Sequence, residues 1–212
     1  MRDLVVLASA SPRRRELLSL ILEDFSIKTS SVDEMEFLTD SSPLSVEQAA
    51  LAKARDVARE CDSGSVIIAA DTVISFRGRL LGKPESIEHA AAMLRELRGV
   101  QHQVITGCAV IPGTGSTEYL FHESTAVRMK EFSEGEILDY VASGEPFDKA
   151  GAYAIQGLGG SLIHSIQGCY PNVIGFPMCA VVKHLRLAGI ETRPVQDICP
   201  ARRASGWSCQ LQ

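Results

Sequence analysis

The chain has 212 residues, 45% of them hydrophobic, with a formal net charge of −5. That is enough apolar material for a real core, in one domain or two closely joined lobes. The acidic balance argues against a general nucleic-acid binder, which needs a broad basic surface, and no apolar run approaches the roughly 20 residues of a membrane helix.

Leu4 to Ala8 is a short apolar run that reads as a buried strand. Ser11 suits a helix N-cap and Pro12 the first helical position, and Leu17, Leu18, Ile21 and Leu22 then recur at helical spacing. Ser9-Ala10-Ser11 is therefore a tight turn from strand to helix. Arg13, Arg14 and Arg15 follow it, although a helix N-terminus disfavours cations. Free backbone N–H groups, two serine hydroxyls and the arginines make that turn suited to an anion, most naturally a phosphate. Ala-Ser-Ala here has the form of a signal-cleavage site, but the apolar run before it is too short and contains Asp3, so the expectation is a cytoplasmic protein.

FSIKTS reads as a second strand, followed by an acidic loop, Val32 to Glu36. Ser42 to Asp62 reads as a long helix with the stripe Val46, Ala49, Ala50, Ala54, Val57, Cys61. Lys53 lies in that stripe. It either snorkels to solvent or faces a cleft that holds an anion; taken alone, the two readings are even. SVIIAA is an apolar strand expected to end at Asp71, where a carboxylate could serve as base or metal ligand, or could form a simple Asx turn. TVISF, Arg77-Gly78 and RLLG read as a hairpin, with Lys83 in the loop beyond it. Ser86 to Gly99 is a helix, and two long strands follow, joined through Gly113-Thr-Gly, which makes the sheet mixed. SEGEILDYVASG is a capped helix. The glycine-dense stretch that follows carries Gln156, where glycines permit either tight turns or close approach to a ligand. SLIHSI is a last strand, and a helix runs from Pro177 to Gly189. The domain is set at 1–189, with 190–212 a loosely attached tail. Strands alternating with helices give an α/β class. The six cysteines show no C-x-x-C pair and read as reduced thiols.

Several stretches taken together resemble the Maf family of nucleoside triphosphate pyrophosphatases: LASASPRRRELL, ALAKA, AADTVI, LGKP, HQVITG, SGEPFDKAGAYAIQGLGG and NVIGFP. The resemblance spans Leu4 to about Leu187. It implies an elongated mixed sheet of the inosine triphosphatase type, with two lobes around a cleft. It implies hydrolysis of a nucleoside triphosphate to monophosphate and diphosphate, aided by a divalent metal, Mg²⁺ or Mn²⁺. Position by position it implies triphosphate contacts at Ser9, Arg13, Arg14, Lys53 and Lys83, a proton acceptor at Asp71, and a further acid at Glu34 that helps Asp71 hold the metal. Arg13, Thr72 and Gln156 match the type that acts on dTTP and UTP. The type that acts on 7-methyl-GTP typically has Trp in place of Arg13 and an acid in place of Gln156. A homodimer is implied by resemblance only. The alternatives are a 7-methyl-GTP enzyme and a nucleotide-binding cell-division regulator without turnover; nucleic acid and membrane are not expected as partners.

Overall fold

The computed structural model describes residues 5–38, 40, 42–113, 117–195 and 199. Its elements in chain order are β1 (Val5–Leu7), α1 (Pro12–Ile21), β2 (Ser26–Ile27), α2 (Pro43–Ala58), β3 (Val66–Phe76), β4 (Arg79–Leu81), α3 (Ile87–Leu97), β5 (Gln101–Ile111), β6 (Tyr119–Met129), α4 (Glu134–Ala142), β7 (Ile163–Gln167), α5 (Tyr170–Ile174) and α6 (Met178–Leu187). Short 3₁₀ turns occupy Glu34–Glu36 and much of the segment between α4 and β7.

The seven strands form one sheet in the order β2-β1-β3-β5-β6-β7, with β4 paired to β3. β1 runs parallel to β2 and β3, whereas β3, β5, β6 and β7 pair antiparallel, so the sheet is mixed as expected. Side chains alternate across a strand, and here both faces are covered. Along β3, Val66, Ile68, Ala70 and Ile74 enter the larger core with Leu18, Leu94 and Leu185. Ile67 and Ala69 enter a second core beneath Ala50, Leu51, Ala54 and Val57 of α2. By the same alternation Asp71 belongs to the α2 side and Thr72 to the opposite side.

Asp71 does not end a strand; it lies in the middle of β3, because Thr72 to Ser75 continue the antiparallel ladder with β5. The other edge of β3 explains its special position. β1 pairs there as far as Ile68, and β4 begins only at Ile74. Between these, Ala69 to Val73 have no strand neighbour on that edge among the described residues. Asp71 and Thr72 therefore sit just past the carboxyl end of the parallel β1, beside a gap that the Ser9–Ser11 turn enters.

The tail expected to begin at Ile190 is anchored over its first residues. Ile190 is buried, the Arg193 N–H donates to the Ile21 carbonyl at 3.0 Å, and the Arg193 guanidinium pairs with Glu23 at 2.7 Å. Residues 196–198 and 200–212 of that tail lie outside the described residues. Among the described residues no helix is long and apolar enough to cross a membrane.

Candidate active site

The gap beside β3 opens into a cleft of about 450 Å³. Ser9, Arg13, Arg14, Glu34, Lys53, Asp71, Thr72, Lys83 and Gln156 all line it. These are the side chains to which the sequence points, scattered over separate segments of the chain, and the fold brings all of them to one cavity. Its size suits a small ligand the size of a nucleotide.

The turn at the start of α1 is wired as a helix cap. The Ser11 hydroxyl accepts from the Arg14 N–H at 3.4 Å, and the Ser9 hydroxyl accepts from the Ser11 N–H at 3.2 Å. No acidic residue stands in the first turn of α1. The three arginines are not equivalent. Arg15 is exposed, and Arg13 is half-buried at the cleft wall. Arg14 folds back across the turn: its Nε donates to the Gly175 carbonyl at 3.0 Å, and its terminal nitrogens donate to Ser9 Oγ at 3.3 Å and Thr72 Oγ1 at 3.1 Å. Burial lowers the Arg14 pKa, and the nearby Asp71 carboxylate opposes that shift. A guanidinium has five N–H donors. Three are spent on protein, which leaves two for a ligand.

Thr72 is held in turn. Its hydroxyl lies 3.0 Å from Thr106 Oγ1, which donates its own proton to the Asn172 carbonyl at 3.2 Å. A hydroxyl has one proton. Thr72 must therefore donate to Thr106 while accepting from Arg14, and it has no proton left for a ligand. Thr106 and Asn172 are fully buried, and the Asn172 amide donates to the Val104 carbonyl and to Thr125 Oγ1. Neither residue breaks its local sequence pattern as sharply as Lys53 or Asp71 does. A threonine inside ITGCAV looks like any β-branched strand residue; the asparagine among apolar neighbours in YPNVIGF is the detectable signal.

Across the cleft, Lys53 does not snorkel. Its ammonium is hydrogen-bonded to Glu34 and to Asp71, and its side chain is only 12% exposed. The two carboxylates diverge. Burial, the largest influence, raises the Asp71 pKa against the pull of Lys53 and Arg14. Glu34 also feels burial upward, but the Lys53 hydrogen bond and charge, with Lys83 and Arg14, hold it below the usual glutamate value. Environments that push two acids apart divide their roles: one stays ionised, and the other moves toward the working range of a proton acceptor. An ammonium has three donors, so Lys53 keeps one for a phosphate oxygen.

Lys149, in the glycine-dense stretch but not among the residues expected at the site, also lines the cleft, paired with Asp148. Lys83 and Gln156 are exposed at the rim. Cations, a base-like carboxylate and an amide lining one cavity suit a polyphosphate joined to a heterocycle.

Comparison with known proteins gives the family. The model of the family described as Maf-like protein matches residues 4–188. The chain belongs to the Maf-like protein family. Within it, the chain is 43% identical over 189 residues to a dTTP/UTP pyrophosphatase of Halalkalibacterium halodurans, covering 89% of this chain and 98% of that one. It is 44% identical over 187 residues to a dTTP/UTP pyrophosphatase of Moorella thermoacetica, covering 88% and 96%. Among solved structures, a nucleoside-triphosphatase, or dITP/XTP pyrophosphatase, of Mycobacterium abscessus aligns at 19% identity with a TM-score of 0.40, covering 60% of this chain and 75% of that one. Motifs that carry the resemblance in the sequence, LASASPRRRELL and AADTVI among them, are the Maf segments that build the cleft.

Proposed function

We infer that this chain hydrolyses dTTP and UTP to the monophosphate and diphosphate, with modified pyrimidine nucleotides also in its range. The observation that carries the reading is the arrangement around Lys53. One ammonium is shared by an acid of raised pKa and an acid of lowered pKa, facing the Arg14 guanidinium across a cleft of nucleotide size. The substrate is supported by the relatives, named dTTP/UTP pyrophosphatase, which match along nearly their whole length.

In this reading Asp71 orients a water against the α-phosphorus and takes its proton. The bond from the α-phosphorus to its bridging oxygen breaks, and the electron pair leaves on diphosphate. Arg13, Arg14, Lys53 and Lys83 stabilise the charge that moves onto the leaving group. Ser9 and the backbone of its turn contact the phosphate chain.

Glu34 and Asp71 would hold a divalent cation. Among the described residues no three His, Cys, Asp or Glu side chains converge as a metal cluster, so the fit is that of an ion taking one or two carboxylates and completing its shell with phosphate and water. The donors of Glu34 and Asp71 are carboxylate oxygens, which suit Mg²⁺ or Mn²⁺, and a bound ion would compete with the Lys53 ammonium that both carboxylates share. When bound, such an ion supplies charge neutralisation and polarisation of the phosphoryl oxygens. Chelation is expected to abolish turnover, with Mg²⁺ or Mn²⁺ restoring it.

Thr72 acts through Arg14 in this account, not on the base. Thr72→Val keeps the shape and removes the acceptor. It is expected to lower kcat/KM about 10–100-fold, the worth of a hydrogen bond to a charged group, and equally for dTTP, UTP and 7-methyl-GTP. A change confined to base preference would contradict this.

Base selectivity is assigned to Gln156. Its amide both donates and accepts, as a uracil or thymine edge does; a carboxylate would only accept and would suit guanine. Measured diphosphate release is expected to give higher kcat/KM for dTTP and UTP than for 7-methyl-GTP. Gln156→Glu is expected to narrow or reverse that preference. A wild-type preference for 7-methyl-GTP would overturn the pyrimidine assignment and leave the pyrophosphatase reading standing. Binding of nucleotide with no diphosphate release would favour the regulator reading instead.

A cytoplasmic setting belongs to the same proposal, supported by free thiols at Cys61 and Cys108; Cys209 lies outside the described residues. A homodimer is proposed from resemblance, and light scattering on the purified protein tests it.

A further inference from the structure

Gln156 stands on a loop that is tied down on both sides by two residues outside it. Before Gln156, the Ala154 N–H donates to the Tyr140 hydroxyl at 3.1 Å. After it, the Leu158 and Gly159 N–H groups donate to the two carboxylate oxygens of Glu145, each at 3.0 Å. The two anchors are themselves joined, since the Tyr140 hydroxyl donates to Glu145 Oε1 at 2.9 Å. Tyr140 is buried on α4, and Glu145 opens the 3₁₀ turn (Glu145–Asp148) that follows this helix. Only Ile155, Gln156 and Gly157 lie between the fixed positions.

Two of the glycines fit this clamp. A Cβ on Gly157 would lie 2.6 Å from Glu145 Oε2, and that residue also has a left-handed φ of +85°. A Cβ on Gly159 would lie 2.5 Å from the Tyr140 hydroxyl oxygen. Either contact is too close for any side chain, so the loop can close on its two anchors only with glycine at these positions. The Glu145 carboxylate feels burial upward, but the donors from Gly159, Leu158 and Tyr140 keep its pKa below the usual value, so it stays an ionised acceptor.

We propose that Tyr140 and Glu145 are positioning residues for Gln156, and that by clamping both sides of its loop they set base selectivity without taking part in the phosphate chemistry. Neither residue lines the cleft, whereas Ala154, Ile155 and Gln156 do. The clamp reaches substrate through the loop; Glu145 has one further link to the cleft, since its carbonyl accepts from the Lys149 ammonium at 3.4 Å, and Tyr140→Phe leaves that link in place. Its effect should fall on the base that Gln156 meets, since neither Tyr140 nor Glu145 bonds to Arg14 or Lys53 in the hydrogen bonds given for them. The proposal rests on the reading of Gln156 as the base contact.

The test uses Glu145→Gln and Tyr140→Phe with two readouts. The first is the ratio of kcat/KM for dTTP to that for 7-methyl-GTP. The second is competitive inhibition by inorganic tripolyphosphate, which occupies the phosphate end and has no base. Each variant is expected to narrow the ratio by about tenfold, the worth of roughly one hydrogen bond, with the tripolyphosphate inhibition constant unchanged. The double variant is expected to lose less than the product of the two single losses, because both break one connected network. An unchanged ratio, or equal losses of discrimination and tripolyphosphate affinity, would overturn the proposal. Tyr140→Phe keeps the ring volume and carries the test alone if Glu145→Gln does not fold. Gln156→Glu separates the two levels of inference. If it leaves the ratio unchanged, the base assignment itself fails. If it shifts the ratio and the clamp variants do not, only the clamp fails.

Discussion

Asp71→Asn is expected to lower kcat for diphosphate release by about 10²–10⁴-fold, the span of a general base, while a non-hydrolysable dTTP analogue still binds. The amide keeps the shape, and its oxygen still accepts from Lys53, which also keeps Glu34. What is lost is the capacity to take a proton. The same substitution has a second, opposite consequence for stability. Burial lifts the Asp71 pKa in the folded chain above its unfolded value. Folding therefore favours the protonated form. That contribution is complete below the unfolded pKa and is lost as pH rises through the folded one. At neutral pH the ionised carboxylate is a burden on the fold, of the kind that active sites retain for function. Asp71→Asn is thus expected to melt no lower than the wild type near neutral pH, with any advantage vanishing as pH falls below the carboxylate range. Near wild-type kcat in the variant would remove Asp71 from the proton-accepting role. A much lower melting temperature at neutral pH would show that the Lys53–Asp71 pair outweighs burial.

The parts of this site that depend on neighbours in the chain are legible in the amino-acid sequence. Ser11 and Pro12 announce the start of α1, and the helical stripe of α2 makes Lys53 conspicuous as a charge among apolar residues. What depends on distant partners is not legible there. Arg13, Arg14 and Arg15 look alike on paper. Arg14 is the one held by distant partners, Thr72 and the Gly175 carbonyl, which stand 58 and 161 residues away. The apolar run stops at Asp71, which suggests a strand end. The ladder continues because β5, some thirty residues on, offers Val104 to Gly107 as partners. α5 has five residues, too few for helical periodicity to register. The glycines around Gln156 signal close approach correctly, but what comes close is Tyr140 and Glu145, which no spacing rule relates to them.

Lys53→Met is expected to change binding, pH dependence and stability together, each in a defined direction. Methionine keeps most of the apolar stem and removes the charge. Loss of one charge-assisted contact to phosphate is expected to lower kcat/KM for dTTP about 10–100-fold and to weaken triphosphate binding more than monophosphate binding. The pH effect follows from what Lys53 does to its two carboxylates. At Asp71 it opposes burial, and at Glu34 its hydrogen bond lowers the pKa. Without it both acids hold their protons to higher pH. The acid limb of the kcat/KM profile is therefore expected to move upward, since the proton acceptor must be ionised to act. Stability follows the same sign. Two acids facing each other without their shared cation are disfavoured most when both are ionised. The loss in melting temperature should be greatest near neutral pH and shrink toward acid, where Asp71 and Glu34 take protons. A lysine that merely braced α2 against β3 would lower the melting temperature without moving the acid limb. An unmoved limb together with equal losses for triphosphate and monophosphate would reduce Lys53 to that structural role.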